Sequence, residues 1–157
     1  TSPMTAPDFI LGYTLPMMVM TIAQATITLL VAGAFGLEMN INIIFAVIIT
    51  ALTSLIFVGT GLFFGSILND KAVGGALLTN VAGWLSGVFI PVDLIGGPLK
   101  IITNILPFYH SVKTIREALS GNSHNILSHL AIVTGYTVVI FALAIIVFNR
   151  KMSGKKS

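Results

Sequence analysis

Cysteine is absent from all 157 residues, which excludes disulfides, thiolate nucleophiles and cysteine-held zinc or iron-sulfur sites. Charge is scarce as well. Asp, Glu, Lys and Arg make up 8% of the chain, against about 25% in an ordinary soluble domain, while hydrophobic residues reach 55% and the mean hydropathy is +1.00. A soluble globular protein is thereby excluded. The five acids, Asp8, Glu38, Asp70, Asp93 and Glu117, stand at the ends of apolar runs or outside them. Ion-coupled transporters usually carry a carboxylate inside the membrane, so ion coupling is disfavoured and a paired-aspartate intramembrane protease is ruled out.

What is there instead is a set of long charge-free stretches: residues 9–37, 39–69, 72–92 and 118–149. About 20 apolar residues at 1.5 Å each cross roughly 30 Å of hydrocarbon, so every run is long enough. The sequence predicts an all-α integral membrane protein with four transmembrane helices, at about 9–35, 41–68, 72–90 and 126–148. The chain opens at Thr1 with no basic leader, which reads as the later part of a longer protein. Asn69-Asp70-Lys71 makes the second and third spans antiparallel neighbours, and Gly61/Gly65 and Gly83/Gly87 offer small-residue faces for close packing. Pro16 is expected to kink the first span or mark its entry into the interface. Arg150, Lys151, Lys155 and Lys156 put the tail, residues 149–157, on the cytoplasmic side, and four spans then put residues 1–8 there too. Residues 91–125 fall outside.

After Pro91 the pattern changes. Pro98 suits the first position of a helix, and it opens a nine-residue piece, PLKIITNIL, that Pro107 interrupts, giving one short helix at about 98–106. A second, at about 108–119, carries Phe108, Val112, Ile115 and Leu119 on one stripe and stops at Gly121. Neither piece can cross a bilayer, yet each has an apolar face to bury. They are expected to form a re-entrant pair on the outer face, between the last two spans, with Phe108, Tyr109 and His110 at headgroup level.

Candidate chemistry is thin. Ser86 and His110 are the only conceivable nucleophile and base, but Ser86 lacks a G-x-S-x-G elbow and no third orienting group is evident. His124 and His129 are five apart, off a common helix face, which argues against a metal site. The tail SGKKS lacks the upstream glycine of a phosphate loop. No catalytic residue, metal or bound cofactor is therefore expected, and no nucleic-acid partner. Most Thr and Ser within the spans can bond their own preceding turn. Gln24 and Asn80 are different, because an amide in hydrocarbon needs a partner helix or a watery path. Trp84 either fills space or faces a substrate.

Residues 83–121, GWLSGVFIPVDLIGGPLKIITNILPFYHSVKTIREALSG, resemble the signature of type-two ABC exporter permeases, with Ser86, Gly87, Pro91, Pro98, Asn104, Pro107 and Arg116 at the matching positions. The opening TSPMTAPDFILGYTLP is similar to that family's cytoplasmic segment leading into the third span. The resemblance implies that the four spans are the third to sixth of six, that the permease forms a homodimer or heterodimer, and that separate ABC ATPase subunits use ATP and Mg beneath it. It implies a bacterial plasma membrane, alternating access, and a drug, lipid or glycan-like cargo. It places Asn80, Trp84 and Phe89, with Gln24, as candidates for the substrate path. Pro91, Pro98, Pro107 and Arg116 become an outer gate, and Asp8, Asn69, Asp70 and Lys71 become the contacts with the ATPase. His110 departs from the family pattern. The alternatives are an ATP-independent carrier or channel, and an intramembrane hydrolase using Ser86.

Overall fold

The computed structural model describes residues 5–68, 80–89, 94, 97–121 and 125–153. Most of the calls between residues 69 and 79, Asn69, Asp70 and Lys71 among them, lie outside that set, as do Pro91, Asp93, His124 and the end of the tail. The described regular structure is helical throughout. Helix α1 spans Ala6–Ala34, α2 spans Ile41–Ile67, α3 spans Pro98–Ile105, α4 spans Pro107–Ser120 and α5 spans Ile126–Ser153; residues 80–85 are helical too. Three of these, α1, α2 and α5, are long and apolar enough to cross a membrane.

Each boundary has a local cause. Thr5 and Asp8 close a reciprocal capping box, the Asp8 carboxylate accepting from the Thr5 amide at 3.0 Å and the Thr5 hydroxyl accepting from the Asp8 amide at 3.4 Å. Helix α1 thus begins three residues earlier than apolarity alone suggests, and Asp8 stands inside its first turn. The helix runs on unbroken through Pro16. Asn40 caps α2 by accepting from the Asn42 amide at 2.9 Å. Pro98 and Pro107 occupy the first turns of α3 and α4, where a missing amide hydrogen costs nothing. Gly121 ends α4 in the left-handed conformation, φ 72°, and a Cβ there would also lie 2.8 Å from the Asn42 amide nitrogen.

Helix α2 is the centre: α1, α4 and α5 all pack on it. Leu29 of α1, Ala118 and Leu119 of α4 and Ile126 of α5 gather around Ala46 and Ile49. At the other end, Gly59 lets α5 come so close that a Cβ would meet the Phe141 ring at 2.8 Å and Ile140 at 3.0 Å. Ile126 near Ala46 and Ile140 near Gly59 mean that α2 and α5 run parallel. Helix α1 runs opposite to both, because Phe9 stacks on Phe148 with ring centroids 4.4 Å apart. Both chain ends of the described bundle therefore share one side. Among the described residues nothing lies within 4 Å of a Cβ built at Gly61 or Gly65, and the span expected to pack on them lies mostly outside those residues; the tight contact with α5 is made at Gly59, on another face.

The short helices are about 12 and 21 Å long at 1.5 Å per residue. Helix α4 lies along α2 in the opposite direction, Phe108 against Phe57 with ring centroids 5.2 Å apart and Gly121 against Asn42. Phe108 and His110 consequently face the interior, each 9% exposed, whereas the sequence suggested an interfacial belt. Filling the close approach tests the packing. Gly59→Val is expected to cost about 1–3 kcal/mol by overpacking, seen as a lower unfolding midpoint in detergent, and adding Phe141→Ala should recover part of it.

Candidate functional site

Two places are candidates for function. The first is a groove between α1, α2 and α4, about 310 Å³ in volume, lined by Thr21, Gln24, Ala25, Thr28, Leu29, Thr50 and Ile115. Thr21, Gln24 and Thr28 share one stripe of α1 at helical spacing. The Thr21 hydroxyl donates to the Met17 carbonyl at 2.9 Å and the Thr50 hydroxyl to the Ala46 carbonyl at 2.7 Å, so both keep lone pairs for a ligand. No charge lines the groove. Asn80, Trp84 and Phe89 do not line it: Trp84 and Phe89 pair with each other, centroids 5.8 Å apart, and both face outward at 58% and 68% exposure. Asn80 is exposed on the same segment. The four path candidates therefore fall into two groups.

The second place is the break between α3 and α4. In a continuous helix the Asn104 carbonyl would accept from the amide of residue 108, but Pro107 ends α3 and turns the backbone away at Leu106, φ −74° and ψ 140°. His110 repairs the loss. Its Nε2 lies 2.8 Å from the Asn104 carbonyl oxygen, and its Nδ1 lies 2.8 Å from Nδ1 of His129 on α5. The two rings stack with centroids 5.0 Å apart. Beyond them His129 Nε2 is 3.8 Å from Glu117 Oε1. Ser111 donates to the Pro107 carbonyl and Thr114 to the His110 carbonyl, so the buried start of α4 is satisfied internally.

Arg116 leaves α4 on another side and donates from Nη2 to the Gly87 carbonyl at 3.1 Å, tying α4 to the end of the 80–89 segment. Both nitrogens of His110 are engaged, and the Ser86 hydroxyl donates to Gly83 at 2.8 Å in its own turn, so the Ser86–His110 dyad is not formed. The His110–His129 pair escaped sequence reasoning because nineteen residues separate its members. The available signal was His110 and Glu117 at i and i+7 on one face, followed by a histidine in the first turn of the next helix.

The sequence model of the family described as ABC-2 type transporter matches residues 1–120. Nodulation protein J of Rhizobium meliloti (strain 1021) is 25% identical over 126 residues, covering 78% of this chain and 48% of that protein. The chain thus spans about half the length of the curated relative it matches. No solved structure matches it.

The repair at the break has a measurable weight. His110→Leu removes the donor to the Asn104 carbonyl together with the contact to His129 and should destabilise the protein by about 0.5–1.5 kcal/mol, read as a lower unfolding midpoint, whereas Ser128→Ala on the exposed side of α5 should be neutral.

Proposed function

The chain belongs to the ABC-2 type transporter family, and on that premise we propose that it forms the later part of the permease of an ATP-driven exporter, its spans three to six. Cargo, a drug, lipid or glycan-like molecule, moves by alternating access while separate ATPase subunits bind and hydrolyse ATP with Mg. The observation that carries this reading is the extent of the match, which takes in α1, α2, the proline-broken helix pair and Arg116.

Several features support the finer parts. Because α2 and α5 run parallel, the chain between them has to return across the bundle, which favours a fourth span through residues 72–90. Helix α4, buried along α2 but too short to cross, fits a re-entrant element. Arg116 bonded to Gly87 would let that element follow the neighbouring span, as an outer gate with Pro91, Pro98 and Pro107 as its breaks. After Thr14 no residue of α1 is fully buried within the chain, which leaves apolar surface suited to lipid or to the second permease subunit of a homodimer or heterodimer. Asp8 at the start of α1 shares its end of the bundle with the last turn of α5, where Arg150 and Lys151 stand. With Asn69, Asp70 and Lys71 it would meet the ATPase on the cytoplasmic side of a bacterial plasma membrane.

For the path, the uncharged groove at Gln24 suits a neutral ligand with hydroxyl or amide hydrogens, since it offers threonine lone pairs and one amide on apolar walls. Asn80, Trp84 and Phe89 would line a second portion, across the subunit interface. Two experiments test the reading. The intact protein, extracted gently, should co-purify with a nucleotide-binding subunit; consistent failure to do so sinks it. Gln24→Leu should lower substrate-stimulated ATPase activity at least several-fold while basal ATPase activity stays the same, and equal loss of both would remove Gln24 from the path.

A further inference from the structure

Three ionisable side chains meet where α4 passes the first turn of α5: His110, Glu117 and His129. Their hydrogens can be assigned in sequence. The Asn104 carbonyl only accepts, so His110 Nε2 carries a hydrogen and donates to it. In a neutral ring His110 Nδ1 is then a bare lone pair. It faces His129 Nδ1 at 2.8 Å, so His129 carries its own hydrogen on Nδ1 and donates. A neutral His129 therefore presents a bare Nε2, and 3.8 Å beyond it stands Glu117 Oε1, another acceptor. The chain ends acceptor against acceptor, and the second carboxylate oxygen, Oε2, is buried with no partner among the described residues. One hydrogen is missing, and its place is between His129 Nε2 and Glu117.

A metal ion does not fill that place. The two nitrogens of an imidazole diverge, so His110 and Glu117 address opposite sides of His129 and the three groups never converge on one point. Among the described residues no group of three His, Cys, Asp or Glu can hold an ion. Among the described residues the groups around the cluster are few. Lys113 of α4 is the nearby cation, 5.7 Å over the Tyr109 ring, and Tyr109 in turn lies edge-on to His110. Helix α2, packed on both α4 and α5, has no ionisable residue between Ile41 and Ile67. Lys100 on α3 is exposed, Tyr136 lies two turns further along α5, and Glu38 in the α1–α2 turn is exposed at the same end.

We propose that His110, His129 and Glu117 form a single-proton latch, in which one proton taken up between His129 Nε2 and Glu117 completes a chain of hydrogen bonds from Asn104 to Glu117 and fastens α4 to α5. The proton comes from water, is held at Nε2, and leaves the cluster neutral, since one imidazolium balances one carboxylate. A second proton is refused while the rings stay together, because it would set N–H against N–H across 2.8 Å. The latch rests on this geometry alone and holds whether or not the protein exports anything.

Nitrogen-15 NMR of the histidine-labelled full chain in lipid bilayers tests it. The expected result is a nitrogen–nitrogen coupling across the two Nδ1 atoms, with hydrogen on His110 Nε2, and uptake of a single proton by the folded pair on acidification. The same two histidines in denaturant take up two. Glu117→Gln, whose amide can donate to His129 Nε2 in the proton's stead, should keep the coupling and displace the titration of the pair from that of the wild type. Absence of the coupling, uptake of two protons by the folded pair, or a Glu117→Gln titration superimposable on the wild type would each overturn the latch.

Discussion

A helix broken inside an apolar region leaves carbonyls that water cannot reach, and the protein itself has to supply their donors. The rest of this bundle is arranged around one such break, at Pro107. The start of α4 is buried against Phe57 of α2, while the Asn104 carbonyl ahead of it has lost the amide donor that a continuous helix would give it. His110 reaches back one turn to meet it, and in doing so brings its other nitrogen to α5. The contact that repairs α3 is thus the same one that joins α4 to the last long helix. A smaller or apolar residue at position 110 would satisfy neither, which gives a physical reason for a histidine where the family pattern led us to expect none.

Elsewhere the same demand is met more simply. Thr14, Thr53, Thr60, Ser66 and Ser86 are buried, and each returns its hydroxyl hydrogen to a carbonyl three or four residues back. Such residues add small volume and no unsatisfied donor, so helices can pack around α2 without hydrophobic bulk. Gly59 carries the principle furthest, because there the α5 side chains rest on bare backbone. Gln24 does not follow it. An amide cannot bond its own turn as a hydroxyl does, and it lines the groove that this chain leaves open.

Helix identity and extent were legible where local physics decides them. Charge-free length gave the three long apolar helices, and Pro98, Pro107 and Gly121 gave the limits of α3 and α4 to within a residue or two. The start of α1 was misjudged because apolarity, not the Thr5–Asp8 capping pair, set the boundary. Partners across the bundle were not legible. Gly59 has no packing-motif spacing, yet helix rotation puts it on the contact with α5, while the span expected to meet Gly61 and Gly65 lies mostly outside the described residues. Likewise, nothing local relates His110 to His129. Their meeting depends on α4 lying along α2 rather than flat on a surface, and amphipathicity specifies that a face is buried without specifying against what.

Direction supplies the last constraint. The stacked rings of Phe9 and Phe148 put the start of α1 beside the end of α5, while the short turn between Ala34 and Ile41 makes α2 antiparallel to α1. Helix α5 then begins at the end of the bundle opposite to where α2 stops, and the chain has to climb back between them. Helix α4 performs only the final part of that climb, from the level of Phe57 to that of Asn42, a rise of about 21 Å for fourteen helical residues. The break at Pro107 therefore falls near the level of Phe57, well short of the end where α5 begins, and His110 supplies within the bundle the hydrogen-bond donor that the broken helix lacks.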